Sequence, residues 1–108
     1  MDFTDLQLPD KSFKLVVWDP PHIIRRAGSP LSIIEKKYGV LLRDTWKEKL
    51  SKGFSECWRV LDDQGVLVFK WAEESASLQE VLSLFSEQPL FGQKSGSKTH
   101  WLCWMKTR

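Results

Sequence analysis

Lys14-Leu15-Val16-Val17-Trp18-Asp19-Pro20-Pro21-His22 is the stretch on which the fold turns. After the lysine, an apolar run ending in two valines and a tryptophan continues without polar alternation. That pattern predicts a strand over 14–18 covered on both faces, as in parallel sheets. The strand ends at Pro20-Pro21, because consecutive prolines have no amide hydrogen for a sheet ladder. Before it, Leu8-Pro9-Asp10-Lys11-Ser12-Phe13 reads as a turn that delivers the chain into the strand.

Working outward, Ser29-Pro30 has the form of a helix N-cap with proline at the first helical position; Leu31, Ile34 and Tyr38 then share a face, and Gly39 is a stop. A stronger signal begins at Thr45-x-x-Glu48, a capping-box spacing. Trp46, Leu50, Phe54, Cys57, Trp58 and Leu61 follow every three or four residues, predicting a helix over 45–61. Asp62-Asp63-Gln64-Gly65 reads as a turn and Val66-Leu67-Val68-Phe69 as a second buried strand, parallel to the first across a helical crossover. Ser77-x-x-Glu80 opens another helix with Leu78, Val81, Leu82 and Phe85 as its stripe, and Pro89 bars its continuation. Strands over 90–93 and 100–106 flank a polar turn at Gly92 to Lys98 and form an antiparallel hairpin; burial on both faces is expected of the last strand.

The 108 residues, 42% hydrophobic, suffice for one small domain with one core, and six Trp with six Phe argue against a disordered tail. A net charge of +2 is too small to drive nucleic-acid binding over the whole surface. The charge is concentrated, however: between His22 and Arg43 stand Arg25, Arg26, Lys36, Lys37 and Arg43 against Glu35 alone. Apolar runs fall far short of the roughly 20 residues that span a bilayer, so no membrane helix is expected. The acidic start Met-Asp-Phe-Thr-Asp is unlike a secretory signal, and a cytoplasmic protein with two buried thiols, Cys57 and Cys103, is expected. The scatter of two Cys and two His predicts no metal site.

Ligands of open α/β sheets collect beyond the carboxyl ends of the strands, which is where Asp19 to His22 falls. The Asp19 carboxylate and the Pro20 carbonyl are hydrogen-bond acceptors on a loop stiffened by two prolines. They suit an amine that must keep its lone pair free while positive charge develops on nitrogen. His22 adds a flat ring able to stack on a planar base or take up a proton.

Lys14 to His22 resembles the fourth motif of class I S-adenosylmethionine-dependent methyltransferases that act on amino groups, in which Asn or Asp, Pro, Pro and an aromatic residue follow a strand. Leu8 to Lys14 is similar to the approach to that strand in the family, and Glu56 to Phe69 to its helix, glycine turn and fifth strand. The terminal hairpin is similar to the sixth strand and the reversed seventh. The resemblance implies a single α/β domain over 1–108, a partial Rossmann-like methyltransferase sheet, mostly parallel with an antiparallel last strand; with the crossover rule it gives the expected spatial order first, second, fourth, third. It implies Asp19, Pro20 and His22 as catalytic, Pro21 as substrate-binding, and Asp2 or Asp5 as cofactor contacts; the concentration of positive charge separately offers Arg25, Arg26, Lys36 and Lys37 as substrate-binding contacts to nucleic-acid phosphates. S-adenosylmethionine is the implied cofactor and an amino group of a nucleobase the implied acceptor, and the charge pattern sets the basic loop 25–43 against nucleic acid.

One departure stands beside this. Members of the family bind the cofactor with a Gly-x-Gly turn after their first strand, and no such spacing precedes Asp19 or occurs later. The second reading is therefore a truncated, non-catalytic remnant serving as a binding module. On either reading the strand at 14–18 lacks a neighbour on one side, which implies a homo-oligomer or a partner chain covering that edge.

Overall fold

A computed structural model describes residues 2–107. Its elements are β1 (Phe13–Trp18), β2 (Ile24–Arg25), α1 (Ile33–Tyr38), β3 (Leu41–Leu42), α2 (Trp46–Val60), β4 (Leu61–Ala72), α3 (Leu78–Leu82), β5 (Phe91–Ser95) and β6 (Thr99–Met105). The four longer strands form one α/β sheet in the order β1-β4-β6-β5. β1 and β4 are parallel, with Val16 opposite Leu67 and Trp18 opposite Phe69. β6 runs antiparallel to both β4 and β5. This is the expected spatial order and the expected strand directions.

Register explains which side chains form the core. Trp18, Phe69 and Leu102 lie in one row across the sheet, and Leu67 with Trp104 in the next. All five are buried against Leu50, Phe54 and Cys57 of α2 and Val81 of α3. Aromatic rings fill the centre: Phe54 stacks on Phe85 at 4.5 Å, and Trp18 meets Phe69 at 5.0 Å. On α2, Gly53 is required for close approach, since a Cβ there would meet the Trp18 and Phe3 rings at 2.5 Å. Burial pushes the Cys57 thiol up to about 12, as desolvation of a thiolate demands. Trp71 is buried, and its indole N–H donates to the Ala76 carbonyl at 3.0 Å.

Several expectations are corrected. The strands at 14–18 and 100–106 are not buried on both faces. Leu15 and Val17 are 59% and 60% exposed, and Trp101 and Met105 also stand open, because α2 and α3 cover one side of the sheet only. Ser29 does not cap α1; Ser32 does. The reason is Glu35, whose backbone N–H donates to Ser32 Oγ at 3.1 Å while its carboxylate accepts from the Ser32 N–H at 3.0 Å, a reciprocal pair that Ser29 has no residue to complete. Leu31 thus precedes the helix and Ile34 is exposed, while the Tyr38 side chain lies outside the described residues. Gly39 does end α1, at φ +86°.

Thr45 precedes α2 without a side-chain cap bond, since a turn from Leu42 sets its backbone and its hydroxyl is buried with no described partner. Ser77 caps α3 through the Glu80 N–H as expected, but that helix stops at Leu82, and Phe85 reaches the core from the turn beyond it. The turn expected at Asp62 to Gly65 is an irregular start to β4. Gln64 takes φ +67°, its N–H donates to the Lys106 carbonyl at 2.6 Å, and the Gly65 carbonyl accepts from the Lys106 N–H at 2.9 Å. Lys106 also closes α2, its buried ammonium donating to the Trp58 and Leu61 carbonyls at 2.6 and 2.8 Å. The hairpin turn is tighter than expected, β5 running on to Ser95 and leaving only Gly96-Ser97-Lys98 outside the strands.

Candidate functional site

Because β1 and β4 are parallel, the Asp19–His22 loop and the Lys70–Glu74 segment leave the sheet at the same end. Between them lies a cleft of about 650 Å³, within the range that holds small ligands. Asp19, Pro20, Pro21, His22 and Ile23 form one wall, and Lys70, Ala72, Glu74 and Thr99 another. The third wall is a small cap: β2 pairs in parallel with β3, α1 bridges them, and Ser32, Ile34, Glu35 and Gly39 face the cleft from it. The cap is tied down by the Ile24 N–H, which donates to Ser75 Oγ at 3.0 Å.

Asp19 is exposed and makes no hydrogen bond or ion pair to another described residue. Pro20 is buried, which fixes the loop behind it. His22 is half-buried, its ring edge-on to Trp71 at 6.4 Å between centroids. Across the cleft, Glu74 pairs with Lys98 at 3.4 Å, and the Lys70 ammonium lies 5.3 Å from the Trp101 ring. Next to Glu74, Glu73 binds His100 Nε2 at 2.6 Å and accepts from the Leu78 N–H at 2.7 Å. The backbone N–H, then His100, hold the Glu73 carboxyl below the usual range.

Of the residues proposed from sequence, Asp19, Pro20, Pro21 and His22 meet at the cleft. Arg25 does not line it. Its guanidinium is engaged by Glu35 Oε2, at 3.0 Å from Nε and 2.6 Å from Nη2, so it positions the cap. Arg26, Lys36, Lys37 and Arg43 are exposed outside the lining. Asp2 and Asp5 are not brought to the cleft: Asp2 Oδ1 accepts from the Thr4 N–H and hydroxyl, and Asp5 Oδ2 accepts from Gln7. Their segment packs on α2, with the Leu6 N–H donating to Glu56 and Phe3 against Trp18.

Sequence reading missed Glu35, Glu74 and Thr99. The Ser32-x-x-Glu35 spacing was a usable signal for the first; the others arrive only through sheet register. No protein-family model matches the chain, and none of the curated proteins does.

Glu35 gives the cap a pH dependence. The Ser32 backbone N–H, then Arg25, lower its carboxyl below the ordinary 4.5. A depressed carboxylate stabilises above its ordinary value and loses that contribution as pH falls through the folded one. Amide resonances of residues 32–38 should therefore stay helical from neutral pH to about 4.5 and lose that character below it. Glu35→Gln should show the loosened spectrum already at neutral pH; superimposable titrations of the two proteins would contradict this role.

Proposed function

We propose that this chain carries the amine-acceptor side of a Rossmann-like, class I S-adenosylmethionine-dependent methyltransferase, directed at an amino group of a nucleobase. The observation that carries the reading is Asp19-Pro20-Pro21-His22 at the carboxyl end of a parallel strand, lining a cleft of small-molecule size with a carboxylate that has no partner among the described residues. In this reading the Asp19 carboxylate and the Pro20 carbonyl accept hydrogen bonds from the amine, which aims its lone pair and stabilises the charge that grows on nitrogen. The His22 ring, held edge-on by Trp71, offers its face to a planar base. The exposed Arg26, Lys36 and Arg43 on the cap supply attraction for a phosphate backbone.

The cleft fits the acceptor better than the donor. Its acidic and apolar lining suits an amine beside a sulfonium, which is the methyl source the cofactor supplies when bound. Yet the sequence carries no Gly-x-Gly turn for the cofactor's methionine end, and Asp2 and Asp5, the expected cofactor contacts, lie outside the cleft. That observation favours a second reading, a binding module without catalysis.

Calorimetric titration with S-adenosylmethionine, with and without a single-stranded oligonucleotide, separates the two. Cofactor binding with label transfer to the oligonucleotide supports the methyltransferase reading. Oligonucleotide binding alone, with neither cofactor heat nor transfer, supports the module.

A further inference from the structure

Opposite α2 and α3, the second face of the sheet meets the cap only at its Lys70, Ala72 and Thr99 end, and over the rest of it register assembles an exposed, continuous apolar surface. Leu15, Val66 and Met105 form one row, Val17, Val68, Cys103 and Phe91 the next, and Lys70 with Trp101 the third. Phe13, Leu15, Val17, Phe91, Trp101 and Met105 are between 39 and 67% exposed. At about 200 Å² for a large side chain, they leave on the order of 600 Å² of apolar surface, the upper end of what a monomer shows. The half-buried Val66, Val68 and Cys103 fill the spaces between them and carry the patch toward the ~800 Å² that each partner brings to a standard interface.

We infer that this face docks onto the same face of a second copy of the chain, making a two-sheet sandwich. A two-fold pairing requires a patch complementary to itself. Here Trp101 and Met105 stand either side of the smaller Cys103 along β6, and Leu15 and Met105 either side of Val66 in the first row, which gives the face ridges and hollows for interdigitation. No charge sits in the centre to be set against its own copy. The one charged side chain in these rows, Lys70, lies at the end beside Trp101. The free edge of β1 is the weaker contact: six residues of strand pairing would leave the apolar face in water.

The docked face is also continuous with the cleft, since Lys70, Ala72 and Thr99 belong to both. A second copy therefore adds a wall on the side of the cleft that this chain leaves open. The inference is independent of methyl transfer, because it rests on the bare face alone.

Light scattering of the full chain across micromolar concentrations tests it. The expected mass is twice the 12.6 kDa of one chain. Val17→Lys and Phe91→Lys each set a charge against its symmetry mate and should weaken the dimer at least about a hundredfold. Both positions are exposed in the single chain, so circular dichroism and tryptophan emission should remain native. Ser55→Lys alters an exposed residue of α2, which covers the other side of the sheet, and should leave the dimer intact. Hydrogen exchange of the wild-type dimer, which needs no variant, should leave the outward amides of β1 unprotected. A monomeric wild type assigns the face to a different partner and overturns the inference. A dimer indifferent to both lysines, or one that protects the β1 edge, overturns it equally.

Discussion

Asp19→Ala is expected, on the methyltransferase proposal, to lower any methyl transfer found in this chain or in a complex that contains it by about a hundredfold or more, with no loss of stability. The magnitude is that of removing one aligned partner for charge that develops in the transition state. Stability should be unaffected because the carboxylate is exposed and holds no other described residue. Asp19→Asn keeps an acceptor oxygen but not the negative charge, so its activity should fall between the two. Steady-state transfer and thermal midpoints, measured together on the three proteins, check the role. Unchanged turnover in Asp19→Ala would remove Asp19 from the chemistry, whereas a midpoint that fell along with the rate would make it a structural residue.

The largest effect on stability is expected at Phe54. Its side chain is buried among Phe85, Trp58 and Trp104, with ring centroids at 4.5, 5.6 and 5.5 Å. Truncation to alanine removes a large apolar surface from the junction of α2, α3 and the sheet, where the surrounding rings are too rigid to collapse into the space. A loss of about 3–5 kcal/mol is expected. Against a total of roughly 5–15 kcal/mol for a domain of this size, that leaves the variant partly unfolded at moderate temperature. Urea unfolding followed by tryptophan emission measures it. A loss under about 1 kcal/mol would mean that α2 is not held by this cluster.

The two strands flanking α2 were legible because each is a run of consecutive apolar residues bounded by strong stop signals. Pro20-Pro21 ends the first and the Asp-Asp-Gln-Gly segment marks the start of the second. The parallel pairing of β1 and β4 followed from the crossover rule, and the place of β6 between β4 and β5 was expected only from the family resemblance. Burial on both faces did not follow. Apolar runs report that a face avoids water, and they are silent on whether this chain supplies the cover. Leu15 and Val17 look the same in sequence whether a helix, a second copy or solvent lies over them.

The cap over the cleft shows a different limit. Ser29-Pro30 is a good local signal for a helix start, yet Ser32 wins because Glu35 answers it from one turn on and is anchored in turn by Arg25. Local propensity proposes several starts, and the one whose hydrogen bonds close prevails. The same competition makes Arg25 a structural residue where charge counting had suggested a phosphate contact.

What the sequence determined by itself is the four longer strands, the helix between the first two and the Asp19–His22 loop, since periodicity, prolines and capping residues act over a few positions, whereas β2 and β3 were not foreseen. Only the tertiary structure decided that Glu74 and Thr99 meet Asp19 across one cleft, that Asp2 and Asp5 stay away from it, and that one sheet face is bare. Those are outcomes of register and of layer packing, which join residues far apart in the chain through contacts that no short stretch of sequence encodes.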